Sequence, residues 1–155
     1  MQFQCSICSI FQASRYGYVA NEDTTQILND VSFPMGGVDK VRFLVGFALE
    51  FKNTENGSNI FYRATTDATD LQSLTDVVKA YPNADQTFSA KSAVVVTFED
   101  LVAAESSVPG KATFQIIAVG DGDKSAMVLD YKTVTIEPEN WQRVLVSTYF
   151  LEIRY

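Results

Sequence analysis

The sequence predicts a mainly β protein: a two-layer antiparallel β-sandwich or jelly roll of about eight strands, with one short helix over residues 70–81. Three observations carry this. Apolar and polar residues alternate at period two through much of the chain. Turn formers interrupt the alternation at Pro34–Gly37, Asn56-Gly57, Pro109-Gly110, Gly120–Asp123 and Pro138–Asn140. One segment, "TDLQSLTDVVKAYP", switches to a helical period.

The elements follow in order. Phe3–Phe11 alternates as one strand, and Tyr16–Val19 and Gln26–Phe33 are further candidates. In "VRFLVGFALEF", Val41, Phe43, Val45, Phe47, Leu49 and Phe51 share one face, so residues 41–52 are expected as one long half-buried strand. Asn56-Gly57 suits a tight turn, and "SNIFYRAT" then returns, making 41–65 a hairpin. In the helix, Leu71, Leu74, Val78 and Tyr81 form the apolar stripe. Thr69 and Gln72 match a capping box, and Pro82 stands past the end. This helix is expected across an open end of the sandwich or along a sheet edge. Ser92–Phe98, Ala112–Val119, Met127–Ile136 and much of Gln142–Ile153 are strands, and "EDLVAAESS" suggests a short helical turn.

The run Trp141–Tyr155, "WQRVLVSTYFLEIRY", lacks Gly, Pro, Asn and Asp. As one straight strand it would measure about 50 Å, against a radius of gyration of about 15 Å for a compact chain of this length. It can bend and switch sheets, form a helix, or pair with a neighbouring subunit. The helix is disfavoured by its Val, Thr, Tyr, Phe and Ile. Tyr149, Phe150, Leu151, Ile153 and Tyr155 are therefore expected at an interface between subunits.

Composition narrows the chemistry. The 155 residues suit one domain, residues 1–155. Net charge is −7 and the 12 Lys and Arg are scattered, which disfavours nucleic acid and anionic membrane surfaces. The absence of His removes Ser-His-Asp and Cys-His nucleophile systems and the commonest zinc ligand. The apolar runs are strand-sized, so no membrane span is expected. "MQFQCSICSIF" lacks the charged start and long apolar core of a signal peptide, and a cytoplasmic protein, or a virion component if viral, is expected. Cys5 and Cys8 form a C-x-x-C without further Cys or His to complete a zinc site. In a single strand they fall on opposite faces, as two free thiols suited to a reducing compartment.

The succession "CSIF", "ILNDVSFP", "VRFLVGFALEF" and "VPGKATFQIIAV" resembles a bacterial family of small proteins of unknown function. The resemblance implies a β-sandwich and leaves function open.

Asp121 and Asp123, followed by Ser125, resemble the alternating oxygen ligands of a calcium loop. Ala126 and Lys132 stand where an EF-hand needs Gly and an acid, so a plain hairpin turn is the stronger reading and no metal is expected. Glu99-Asp100 and Glu137/Glu139 are acids at strand ends, with nothing placing two across a cleft. No phosphate loop or nucleophile elbow occurs. Tyr16 and Tyr18, beside Arg15, are possible ligand or interface aromatics.

The expected function is non-enzymatic and cofactor-free. It is a structural or interaction protein that forms a homo-oligomer or docks on a larger assembly, such as a virion or filament, through strand edges and the C-terminal strand. The alternative is a carbohydrate- or small-ligand-binding sandwich. If residues 41–52 form a buried strand, Phe47→Ala should cost about 3–5 kcal/mol in urea unfolding. A loss below about 1 kcal/mol would mean an exposed face or another register.

Overall fold

The structure, a computed structural model, describes residues 2–5, 8–14, 17–20, 43–45, 51–52 and 57–137. These residues are mainly β with one helix. The strands are β1 (Gln2–Cys5), β2 (Cys8–Ser14), β3 (Tyr18–Ala20), β4 (Phe43–Val45), β5 (Asn59–Thr65), β6 (Ser92–Leu101), β7 (Ala112–Gly120) and β8 (Ser125–Val134). Helix α1 spans Ala68–Lys79. The strands form two antiparallel four-stranded sheets, ordered β1-β2-β3-β4 and β5-β6-β7-β8. Among the described residues, consecutive strands are neighbours within each sheet, as in a meander.

Strand β6 explains the core. Its run Ala93–Val96 is buried residue by residue, so both of its faces are covered. Val94, Val96 and Phe98 join Phe114, Ile116 and Leu129 of the neighbouring strands in one buried cluster. Ala13 of β2 and Val19 of β3 belong to that same cluster. Within it the Phe98 and Phe114 rings stack with centroids 4.6 Å apart and planes 9° from parallel. Ala93 and Val95 instead join Ile117, Val119, Ala126 and Val128 under Leu71 and Val78 of α1. The helix therefore lies over a sheet face, not at an open end or edge. A second apolar face on β6 and β7 has to be covered, and the amphipathic helix covers it.

The helix starts earlier than its periodicity indicates, and its cap differs. Asp67, not Thr69, is the N-cap, and its carboxylate accepts from the Thr69 and Asp70 N–H groups at 2.9 and 3.1 Å. Gln72 donates to Asp76 at 2.8 Å and takes no part in a capping box. An ionised acceptor two residues upstream satisfies the free N–H groups first. Thr75 completes the buried stripe: its Oγ1 donates to Leu71 O at 2.8 Å and accepts from Ala90 N–H at 3.0 Å.

Two other expectations about the strands are corrected. Phe3–Phe11 is not one strand. It folds back between Cys5 and Cys8, which are direct partners across β1 and β2. Cys5 and Cys8 are therefore not placed on opposite faces of a strand. The residues flanking Asn56-Gly57 do not form a hairpin either. Phe51 pairs with Ala103, and the Lys52 N–H donates to Val102 O at 2.8 Å. Beyond the turn, Asn59 pairs with Glu99 and Thr65 with Ala93. Both flanks thus run along the same neighbour in the same direction. Phe51, fully buried beside Phe98 and Leu101 in the core cluster, outweighs the local turn signal. The expected helical turn in "EDLVAAESS" is likewise replaced through Ala103. Residues 99–101 finish β6, and Leu101 and Ala103 are buried.

Tyr18–Ala20 and strands β6, β7 and β8 agree with expectation to within a few residues. Of the 41–52 strand, Phe43–Val45 and the Phe51–Lys52 pairing are described. Phe47, the Gln26–Phe33 strand and the run Trp141–Tyr155 lie outside the described residues.

Phe114→Ala should destabilise the chain by about 3–5 kcal/mol in urea unfolding, because the residue is fully buried and its ring stacks on Phe98. A loss near 1 kcal/mol would mean that the ring is not enclosed in the buried cluster.

Candidate functional site

Strand β5 is held at both ends and exposed in the middle. At its start, Ser58 Oγ donates to Asp100 O at 2.9 Å. At its end, Thr65 Oγ1 donates to Asp70 at 3.0 Å and accepts from the Asp67 N–H at 3.1 Å. Arg63 reaches the same Asp70 carboxylate at 2.5 Å. That hydrogen bond, then the one from Thr65, holds the Asp70 carboxyl below its ordinary pKa. The strand is thus tied to the first turn of α1. Between these ties, Phe61, Tyr62, Arg63 and Ala64 are all exposed, although successive residues point to opposite faces. Phe61 is 51% and Tyr62 49% exposed. Among the described residues, β5 has a strand neighbour, β6, on one side. Among the described residues, this is a sheet edge, tied at both ends, that carries adjacent aromatics on its two faces.

A second feature is a cavity of about 200 Å³ where the chain leaves α1 and meets the turn before β8. Val78, Phe88 and Ala126 form its buried apolar floor. Asn83, Asp85, Lys124 and Ser125 form the polar side. Asn83 adopts a left-handed φ of 64°, which Asn tolerates better than most residues. Asp85 pairs with Lys124 and accepts from the Thr87 N–H at 2.8 Å and Thr87 Oγ1 at 2.6 Å. The Lys124 ammonium, then the two Thr87 donors, push the Asp85 pKa far below the usual carboxylate range. The acid and the base that line the cavity are thus paired with each other. The cavity volume is also below the roughly 300–1,000 Å³ of ligand clefts.

The residues singled out in the sequence fall as follows. Asp121 belongs to the β7–β8 turn, where its Oδ1 accepts from the Asp123 N–H at 2.9 Å and the Lys124 N–H at 2.7 Å. Its carboxylate organises the turn, with Gly122 at a positive φ of 108°. Among the described residues, no group of three or more Cys, Asp or Glu is placed to hold a metal ion. Asp100 also has a positive φ, 51°, at an irregularity in the β6–β7 register, and its carboxylate meets Lys111 and Thr113. Tyr18 sits in β3 between β2 and β4. Tyr16, and the interface candidates Tyr149, Phe150, Leu151, Ile153 and Tyr155, lie outside the described residues. Phe61 and Tyr62 are not among the sequence candidates, since "SNIFYRAT" is expected there as the returning strand of a hairpin. Two adjacent aromatics in an alternating strand were the available signal, since one of them must leave any single core face.

The family model described as Nidogen-like domain matches residues 9–148. No curated protein and no solved structure matches the chain. The family match overturns the resemblance to a bacterial family of small sandwich proteins. The quoted stretches from "ILNDVSFP" to "VPGKATFQIIAV" lie inside the matched range, and their turn and core patterns are common to unrelated β proteins.

The Asp85–Lys124 pair sets a pH dependence. The folded pKa of Asp85 is depressed, so its contribution is fully present above the unfolded value near 3.8 and is lost as pH falls through the folded value. The melting-temperature advantage of wild type over Asp85→Asn should be constant from about pH 7 to 5 and shrink below about pH 4. An advantage unchanged down to about pH 2 would show that the pair does not form in solution.

Proposed function

The chain belongs to the Nidogen-like domain family, and from that premise we propose that it is a non-catalytic, extracellular-type protein-interaction module whose β5 edge receives an extended segment of a partner protein. The observation that carries this reading is the exposed Phe61–Tyr62 pair on a strand anchored at both ends. A sheet edge offers unpaired N–H and C=O groups that another strand satisfies. Aromatics flanking such an edge supply contact area at small entropic cost. Because β5 is tied to α1 and to β6, little ordering is required on binding.

The family supports an extracellular setting over a cytoplasmic one, and lends nothing to a virion or filament component. The reading further takes the two sheets as the layers of a sandwich. Support comes from Ala13 and Val19 of the first sheet, which share a buried cluster with Val94, Phe98 and Phe114 of the second. A second copy of the chain is one partner compatible with this edge.

An array of extended peptides, read alongside a glycan array and light scattering of the intact chain, tests the proposal. Binding or self-association should fall at least about tenfold in the double variant Phe61→Lys, Tyr62→Lys, with an unchanged circular dichroism spectrum. Glycan binding without peptide binding would favour the carbohydrate-binding alternative. Undiminished peptide binding by the variant would place the docking edge elsewhere.

A further inference from the structure

We propose that Cys5 and Cys8 are a reversible dithiol–disulfide pair that locks the turn end of the β1–β2 hairpin. Strand register brings the two positions together. Cys5 ends β1, Cys8 begins β2, and the two are direct Cα partners across the antiparallel pair. Directly opposed residues in such pairs have Cα atoms about 4.5–5.5 Å apart, inside the roughly 4.4–6.8 Å span of disulfides. The pairing shifts register between Phe3 and Cys5, so the Cys5–Cys8 step is set separately from the Phe3–Phe11 step. A covalent link at that step fixes the hairpin where its ladder is irregular.

Composition leaves each thiol one intramolecular partner. The chain holds 2 Cys and 0 His, so neither a second disulfide nor a Cys/His zinc site competes. Both cysteines precede residue 9, where the family match begins, so the pair is a feature of this chain beyond the matched domain. The ring closed would contain the turn alone, and short rings add little chain-entropy stabilisation. Oxidised and reduced chains should therefore reach the same fold, the oxidised one favoured only by the ratio of the closure constants in the folded and unfolded chains, which makes the pair a switchable lock and not a staple on which folding depends.

The chemistry needs an external disulfide as oxidant. The thiolate of one cysteine attacks a sulfur of the oxidant, releasing one oxidant thiol and forming a mixed disulfide. The second thiolate displaces the other oxidant thiol and closes the Cys5–Cys8 bond. Two protein thiols are oxidised, one external disulfide is reduced to two thiols, and the two thiol protons leave with them.

The intact chain is equilibrated with oxidised and reduced glutathione, quenched with acid, alkylated and weighed by mass spectrometry, with peptide mapping. The expected product has lost two hydrogen atoms, carries no alkyl group and no glutathione, and maps to a Cys5–Cys8 link. Dithiothreitol should restore two alkylation sites. The equilibrium constant for closure should be at least tenfold larger for the folded chain than for the chain in urea, because the register holds the partners together. In Cys8→Ser, the mixed disulfide with glutathione should persist on Cys5, since nothing resolves it. Equal constants in the folded and unfolded chains would overturn the proposal, as would covalent dimers, two stable glutathione adducts or a persistent dithiol in excess oxidant.

Discussion

The described structure depends on burying both faces of β6. Its residues Ala93–Val96 are covered on two sides, by the buried cluster that holds Phe51, Phe98 and Phe114 on one and by α1 on the other. A strand of this kind cannot satisfy its surroundings with one layer. That requirement fixes where the helix lies, and it recruits Ala13 and Val19 from the first sheet into the same cluster as Phe98 and Phe114. The Phe98–Phe114 stack sits where β6 and β7 pair directly. Apolar burial is non-directional, but the alternation of a strand converts it into a specification of which residues face which layer.

The same arrangement makes β5 different from its neighbours. It pairs with β6 over its whole length, yet four residues in its middle are exposed. Polar ties hold it instead: Ser58 to the Asp100 carbonyl, and Thr65 and Arg63 to Asp70. A strand fixed by its ends can present aromatic side chains without a core beneath them. The cavity beside α1 shows the opposite allocation, with apolar floor buried and charges paired across its rim. The exposed aromatics of these described residues thus lie on β5 and not in the cavity.

Much of this was legible locally. The helix could be located from Leu71, Leu74 and Val78, and β6, β7 and β8 from alternation and turn residues. The turn role of Asp121 was also readable, because an Asx turn depends on residues within reach of one side chain. The cap was misassigned through a similar local rule: Thr69 and Gln72 matched a pattern, but Asp67 offered the stronger acceptor. The candidate edge was hidden because the Asn56-Gly57 signal assigned "SNIFYRAT" to the wrong neighbour.

By itself the sequence determined the β-rich class, the place of the helix along the chain, and most strands among the described residues. Those properties follow from the period of burial, which is written in consecutive residues. Tertiary structure alone decided which strands pair, that the chain does not reverse between Lys52 and Asn59, and that Cys5 meets Cys8 across a hairpin. Pairing is settled by competition among distant segments for the same buried faces. A local turn signal loses that competition when residues such as Phe51 and Ala103 gain more by joining the core.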